Sequence, residues 1–134
     1  MNPNNPSVLI VDDMPKNIQL LGSILKKESL DIEFATSGKE ALEWLDSKPF
    51  DLVLLDIMMP EMDGFEVCRQ IKENPITADI AVIFITAKTD IQSVVQGFEA
   101  GAVDYLTKPF NKNELIARVR THLTLQHQKK LLEE

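Results

Sequence analysis

Four apolar stretches of this chain each stop at a side chain able to do chemistry. Asp12 and Asp13 follow Ser7–Val11, Asp56 follows Leu52–Leu55, Thr86 follows residues 81–85, and Lys108-Pro109 comes just after residues 103–106. A fifth stretch, Asp31–Ala35, stops at Thr36 and offers nothing catalytic. If these are parallel strands of one open sheet, their carboxyl ends lie along one edge, where such sheets bind ligands. Three carboxylates, one hydroxyl and one amine then converge. Three close carboxylates repel, and without compensation one of them would be forced to keep its proton. A hard divalent cation relieves this, and carboxylate, carbonyl and water oxygens are the ligands magnesium prefers. One lysine offsets more of the charge. The lysine and the threonine hydroxyl are also what phosphoryl oxygens need. A carboxylate in such a place can attack a phosphoryl donor and become an aspartyl phosphate. The residues alone thus point to a magnesium-dependent acyl-phosphate site.

The elements that must position these groups alternate. Each apolar, β-branched run is followed by a stretch with helical spacing. Residues 15–28 carry Ile18, Leu21, Ile24 and Leu25 on one face, with Pro15 suited to a first helical turn. Residues 39–45 form a short helix with Ser37 as its cap. Further helices are expected over residues 65–72, after Gly64, and over residues 91–100, closed by Gly101. A long one starts at Lys112. Five strand–helix pairs with continuously apolar strands predict an α/β fold: a doubly wound, five-stranded parallel sheet with helices on both faces.

The last helix outruns its domain. Leu115, Val119 and Leu123 make one stripe, while Leu125 and Leu132 fall seven residues apart on another face. Residues 7–123 are therefore expected to form the domain, with residues 124–134 extending its last helix as a connector or the start of a coiled coil. Residues 1–6 read as a disordered tail.

Composition narrows the function. The chain has 134 residues, one domain's worth, with 14 Lys+Arg against 21 Asp+Glu and a net charge of −7. Such a surface repels a phosphate backbone, so no direct nucleic-acid binding is expected. One cysteine excludes an internal disulfide and a cysteine-based zinc site. The longest apolar run is residues 80–85, far short of the ~20 a membrane helix needs. The start of the chain does not resemble a signal peptide. A cytoplasmic protein without membrane contact is the expectation.

The residues Val11-Asp12-Asp13, the stretch from Leu54 to Gly64 (LLDIMMPEMDG), Ile85-Thr86-Ala87 and the stretch from Tyr105 to Phe110 (YLTKPF) together resemble the receiver domain of two-component response regulators. The likeness runs from about Val8 to about Leu123. No single piece is specific, but the set in this order and spacing is. The resemblance implies a flavodoxin-like sheet of strand order 2-1-3-4-5. It implies that Asp56 is the phosphoacceptor, taking its phosphoryl group from a phosphohistidine on a histidine kinase or phosphotransfer protein. Asp13 would be a direct ligand of Mg2+ (with Mn2+ able to substitute), Asp12 would hold metal-bound water, and Met58 would lend its backbone carbonyl. Lys108 and Thr86 would bind phosphoryl oxygens, Tyr105 would turn inward behind Thr86, and Pro109 would be cis. The implied role is a signalling switch rather than a turnover enzyme. Its changed surface would lie on the fourth helix, fifth strand and fifth helix, and a homodimer could form there or through the last helix.

Blander readings exist residue by residue. Asp12 or Asp13 could cap the helix at Pro15. Asp56 could be a turn residue, Thr86 a β-branched strand end and Tyr105 half-buried packing. Met58, Met59 and Met62 read as gap-filling, Cys68 as an inert packed thiol, and His122 and His127 as exposed. Rival functions fit less well. A dehalogenase-type phosphatase wants Asp-x-Asp after its nucleophilic strand, whereas Asp56 is followed by Ile57-Met58. A flavin binder wants a glycine- and hydroxyl-rich loop after the first strand, whereas Asp12-Asp13-Met14-Pro15 is acidic. A phosphorylation-independent interaction module would be expected to have lost site residues. Two neighbours of the site, Met58 and Lys88, are where the family tunes water access. Methionine cannot orient a water, and the lysine shields the site, so slow self-dephosphorylation is expected.

Overall fold

A computed structural model describes residues 5–133; the first four residues of the expected tail lie outside it, as does Glu134. Five strands, β1 (Ser7–Val11), β2 (Asp31–Ala35), β3 (Leu52–Leu55), β4 (Ala81–Thr86) and β5 (Asp104–Thr107), alternate with five helices. These are α1 (Pro15–Leu25), α2 (Gly38–Ser47), α3 (Gly64–Glu73), α4 (Ile91–Glu99) and α5 (Lys112–Glu133). All strand pairs are parallel, in the order β2-β1-β3-β4-β5. Pro6 is already tied in, its carbonyl accepting from Asp31 N at 2.9 Å.

Side chains alternate across a strand, so the sheet feeds two cores. Val8, Ile10, Leu54, Ile83 and Leu106 meet Ile18, Leu21 and Leu25 of α1 and Leu115 and Val119 of α5. Leu9, Val11, Val53, Leu55, Val82 and Phe84 meet Ala41 and Leu45 of α2 and Val67, Cys68 and Ile71 of α3. Burial on both faces is why the strands read as unbroken apolar runs. Burial also pushes the Cys68 thiol up to about 11, against the pull of Lys72, so it stays protonated and inert.

Helix termini follow local chemistry. Ser37 Oγ accepts from Glu40 N at 3.1 Å, Asp63 Oδ1 from Glu66 N at 3.0 Å and Asp90 Oδ2 from Ser93 N at 3.0 Å. Helix α1 stops at Leu25 rather than Glu28. Residues Lys26–Glu28 tighten into a 3-10 turn, and Ser29 turns left-handed with φ 58°.

Helix α5 keeps its form to Glu133, with Leu125 and Leu132 exposed. Its second half lies against the base of the sheet. Gln126 Nε2 donates to the carbonyls of Asp51 (3.1 Å) and Asp79 (2.7 Å), Lys129 pairs with Asp79 at 3.0 Å, and Lys130 pairs with Asp51. His127 is exposed, but His122 is not. His122 Nε2 lies 3.1 Å from Asp104 on β5, beside Arg118 Nη1 at 3.0 Å from the same carboxylate oxygen, which corrects the expectation of two exposed histidines. A buried strand-end acid drew the histidine in, and helical periodicity carries no sign of it.

Candidate functional site

The strand order reverses between β1 and β3: the chain leaves β1 toward β2 on one side and returns to β3 on the other. That reversal opens the crevice in which open sheets bind ligands. Val11 pairs with Leu55, so Asp12 and Asp56 emerge side by side from neighbouring strands. The backbone holds them there, with Asp12 N donating to Ala35 O at 3.1 Å and Asp56 N to Val11 O at 3.0 Å. Across the crevice Lys108 N donates to Thr86 O at 2.9 Å, and the Lys108–Pro109 bond is cis.

Asp12, Asp13 and Asp56 each present a carboxylate oxygen within 4.8 Å of the others. Asp12 and Asp56 are 1% and 6% exposed, and Asp13 is half-buried. Lys108 Nζ bridges the two buried acids, at 2.7 Å from Asp12 Oδ2 and 2.9 Å from Asp56 Oδ2. Burial works against the charged amine, but its hydrogen bonds to Asp12 and Asp56 and their negative charge outweigh it and hold Lys108 above the usual lysine range. Three acids and one amine leave a net deficit of positive charge in a buried place. All-oxygen ligands of that charge suit a hard divalent cation, so the donor set fits a metal site.

The other expected groups surround this centre. Met58 N donates to Asp56 Oδ1 at 3.2 Å, while its side chain is 56% exposed at the rim. Thr86 Oγ1 accepts from Lys88 N at 3.4 Å and, among the described residues, makes no hydrogen bond to the carboxylates. Tyr105 sits inward: its hydroxyl donates to Lys88 O at 2.6 Å, and its ring lies 5.9 Å from that of Phe84. Burial raises the Tyr105 phenol above its usual range, and the charges of Asp90 and Asp56 add to this. Met59 packs in the core and Met62 against it.

Sequence reasoning missed one participant. Asn17, in the first turn of α1, donates from Nδ2 to Asp12 Oδ2 at 3.2 Å. Asp12 Oδ1 accepts from Met14 N at 2.9 Å. Met14 itself is the N-cap of α1, so neither Asp12 nor Asp13 occupies that position. The spacing from Asp12 to Asn17 could have suggested the contact, since the first helical turn faces the strand end it follows.

Comparison with known proteins agrees. Residues 8–120 match the response regulator receiver domain family. The chain is 50% identical over 126 residues to a "Probable cyclic di-GMP phosphodiesterase" of Vibrio cholerae, covering 94% of this chain and 28% of that protein. It is 41% identical over 126 residues to response regulator ArlR of Staphylococcus saprophyticus, covering 94% of this chain and 56% of the relative. The chain thus spans from about a quarter to just over half the length of these relatives. The crystal structure of the signal receiver domain of an HD domain-containing protein from Pseudomonas fluorescens superposes with a TM-score of 0.88 at 28% identity, covering 93% of this chain and 99% of that one. Because the match runs unbroken from β1 into α5 and takes in the whole acidic edge of the sheet, this chain belongs to the response regulator receiver domain family of two-component signalling.

Proposed function

We propose that this domain is a phosphorylation switch in which Asp56 accepts a phosphoryl group from a phosphohistidine on a histidine kinase or phosphotransfer protein. The observation that carries this is Lys108 bridging two buried acids of a three-carboxylate cluster. A carboxylate oxygen of Asp56 attacks the phosphorus in line. The P–N bond breaks, its electron pair stays on the imidazole, and a P–O bond to Asp56 forms. Asp13, Asp56 and the Met58 carbonyl would hold Mg2+, or Mn2+ in its place, with Asp12 holding metal-bound water, and the ion would supply charge neutralisation at the transferring oxygens. Lys108, kept charged by its acidic partners, offers its ammonium to one phosphoryl oxygen, and the Thr86 hydroxyl turns to another. Thr86 then draws the loop bearing Lys88 with it, and Tyr105, already turned inward with its hydroxyl on Lys88 O, packs into the space behind. The switch is a population shift, and moving it from 1:99 to 99:1 takes about 5.5 kcal/mol of differential binding. The changed surface lies on α4, β5 and α5.

Residues 7–123 act as the switching unit, and residues 124–133 extend α5 toward an output domain or a second copy of the chain. With a histidine kinase as phosphodonor, the domain works in the cytoplasm. No described helix is long and apolar enough to cross a membrane.

The test is intact mass after incubation with acetyl phosphate. With magnesium the protein is expected to gain one phosphoryl group; with a chelator in excess it is expected to gain none. Equal gain in both would remove the metal from the reaction, and no gain in either would leave a constitutive interaction module. Once formed, the phosphoryl group is expected to persist, because Met58 orients no water and Lys88 lies beside Thr86. Its decay after donor removal, followed by mass, should be slow and should speed several-fold in Met58→Asn, whose amide can hold a water. Fast decay in the wild type would overturn this.

A further inference from the structure

We propose that Gly97 is a positioning residue for the switch: its missing side chain opens the slot into which Tyr105 turns. This rests on the role given to Tyr105 above. Gly97 is buried near the end of α4, facing β4 and β5. A Cβ there would lie 3.1 Å from Phe84 Cδ2, 3.2 Å from Phe84 Cε2 and 3.2 Å from Tyr105 Cδ2. Those distances require a ring to give way. Phe84 is fully buried and meets Phe65 at 5.7 Å and Tyr105 at 5.9 Å between ring centroids, so it can yield only as Tyr105 gives it room. The helix cannot easily retreat, because Gly97 O accepts from Ala102 N in the turn that leads to β5. Tyr105 is half-buried and has solvent to move into. A side chain at position 97 is therefore relieved most cheaply by a shift of the Tyr105 ring of a few tenths of an ångström toward solvent, which strains its bond to Lys88 O. Lys88 N in turn donates to Thr86 Oγ1. Gly97 thus sets the far end of a hydrogen-bonded series that reaches the phosphoryl site. Glycine inside a helix is unfavourable beside alanine, so its presence in α4 runs against local propensity and with this packing need.

Tyr105 is the only tyrosine, so 3-fluorotyrosine labelling gives a single fluorine resonance that reports its ring. In Gly97→Ala this resonance is expected to shift from its wild-type position. In Val95→Ala, on the exposed side of the same helix, it should stay in place. An unmoved resonance in folded Gly97→Ala would overturn the proposal. So would the lack of a nuclear Overhauser contact between Gly97 Hα and the Tyr105 ring in the wild type, a measurement that needs no variant to fold. Phosphorylating the wild type with acetyl phosphate and magnesium separates the two ideas. If the resonance ignores phosphorylation, the switch role of Tyr105 fails, while the Gly97 contact still stands or falls on the variant.

Discussion

The Asp56→Asn variant is expected to gain no phosphoryl group from acetyl phosphate and magnesium under conditions that convert the wild type fully. The amide keeps the shape of the carboxylate and can still accept the bond from Met58 N, now 3.2 Å from Asp56 Oδ1. It lacks the anionic oxygen proposed to attack phosphorus, so the loss should be complete rather than partial. The neighbours offer no easy substitute. Asp12 is 1% exposed, and its oxygens are already engaged by Met14 N, Asn17 and Lys108. Asp13 is the more open acid. A residual gain that disappears in the Asp13→Asn, Asp56→Asn double variant would move the acceptor to Asp13. The loss cannot be blamed on unfolding. Asn removes one of three mutually repelling charges, so without metal its thermal midpoint should equal or exceed that of the wild type. Lys108 keeps Asp12 as a partner at 2.7 Å.

Much of this site was legible because it lies where strands stop. The strands β1, β2 and β3 have the bounds their apolar runs predicted, and residues just beyond strand ends must share one edge of a parallel sheet. Types and order along the chain therefore brought Asp12, Asp13, Asp56 and Lys108 together before any coordinate. What stayed hidden depends on side chains reaching across elements. Asn17 on Asp12, His122 on Asp104 and Gln126 on two strand-entry carbonyls are single polar contacts with no periodic trace. The end of α1 was misplaced by one turn because Lys26, Lys27 and Glu28 are all good helix formers. What stops the helix is the left-handed turn at Ser29, a conformation its residue type does not announce. The extension of α5 was read correctly as helix, but its docked face was not, because lysines and glutamine read as solvated until their acids and carbonyls are placed.

Gly64→Ala is expected to be the most disruptive small substitution in the chain. Its helical position would favour alanine by up to about 1 kcal/mol. Packing decides otherwise. A Cβ there would sit 2.3 Å from the carbonyl oxygen of Asp56, 2.7 Å from Ile57 Cα and 2.9 Å from the Asp56 carbonyl carbon. All three are backbone, so no rotamer change relieves the clash. Gly64 N also donates to Ile57 O at 2.9 Å, which fixes the start of α3 against the loop after β3. The chain must move the loop after β3 or the helix, and a net loss of about 3 kcal/mol is expected. With a urea m value of roughly 2 kcal/mol/M, the unfolding midpoint should fall by about 1.5 M. Gly22→Ala provides the contrast. Its Cβ would meet only the ring of Phe34, at 3.2 Å, and that ring is 41% exposed and free to shift. Its midpoint should hardly change. The two variants differ in function as well. Displacing Asp56 O moves the Asp56 carboxylate relative to Lys108, so on the proposed function folded Gly64→Ala should accept the phosphoryl group more slowly, whereas Gly22→Ala should match the wild type. Equal midpoints and equal rates in the two variants would show that the contact between Gly64 and the Asp56 carbonyl constrains neither the fold nor the site.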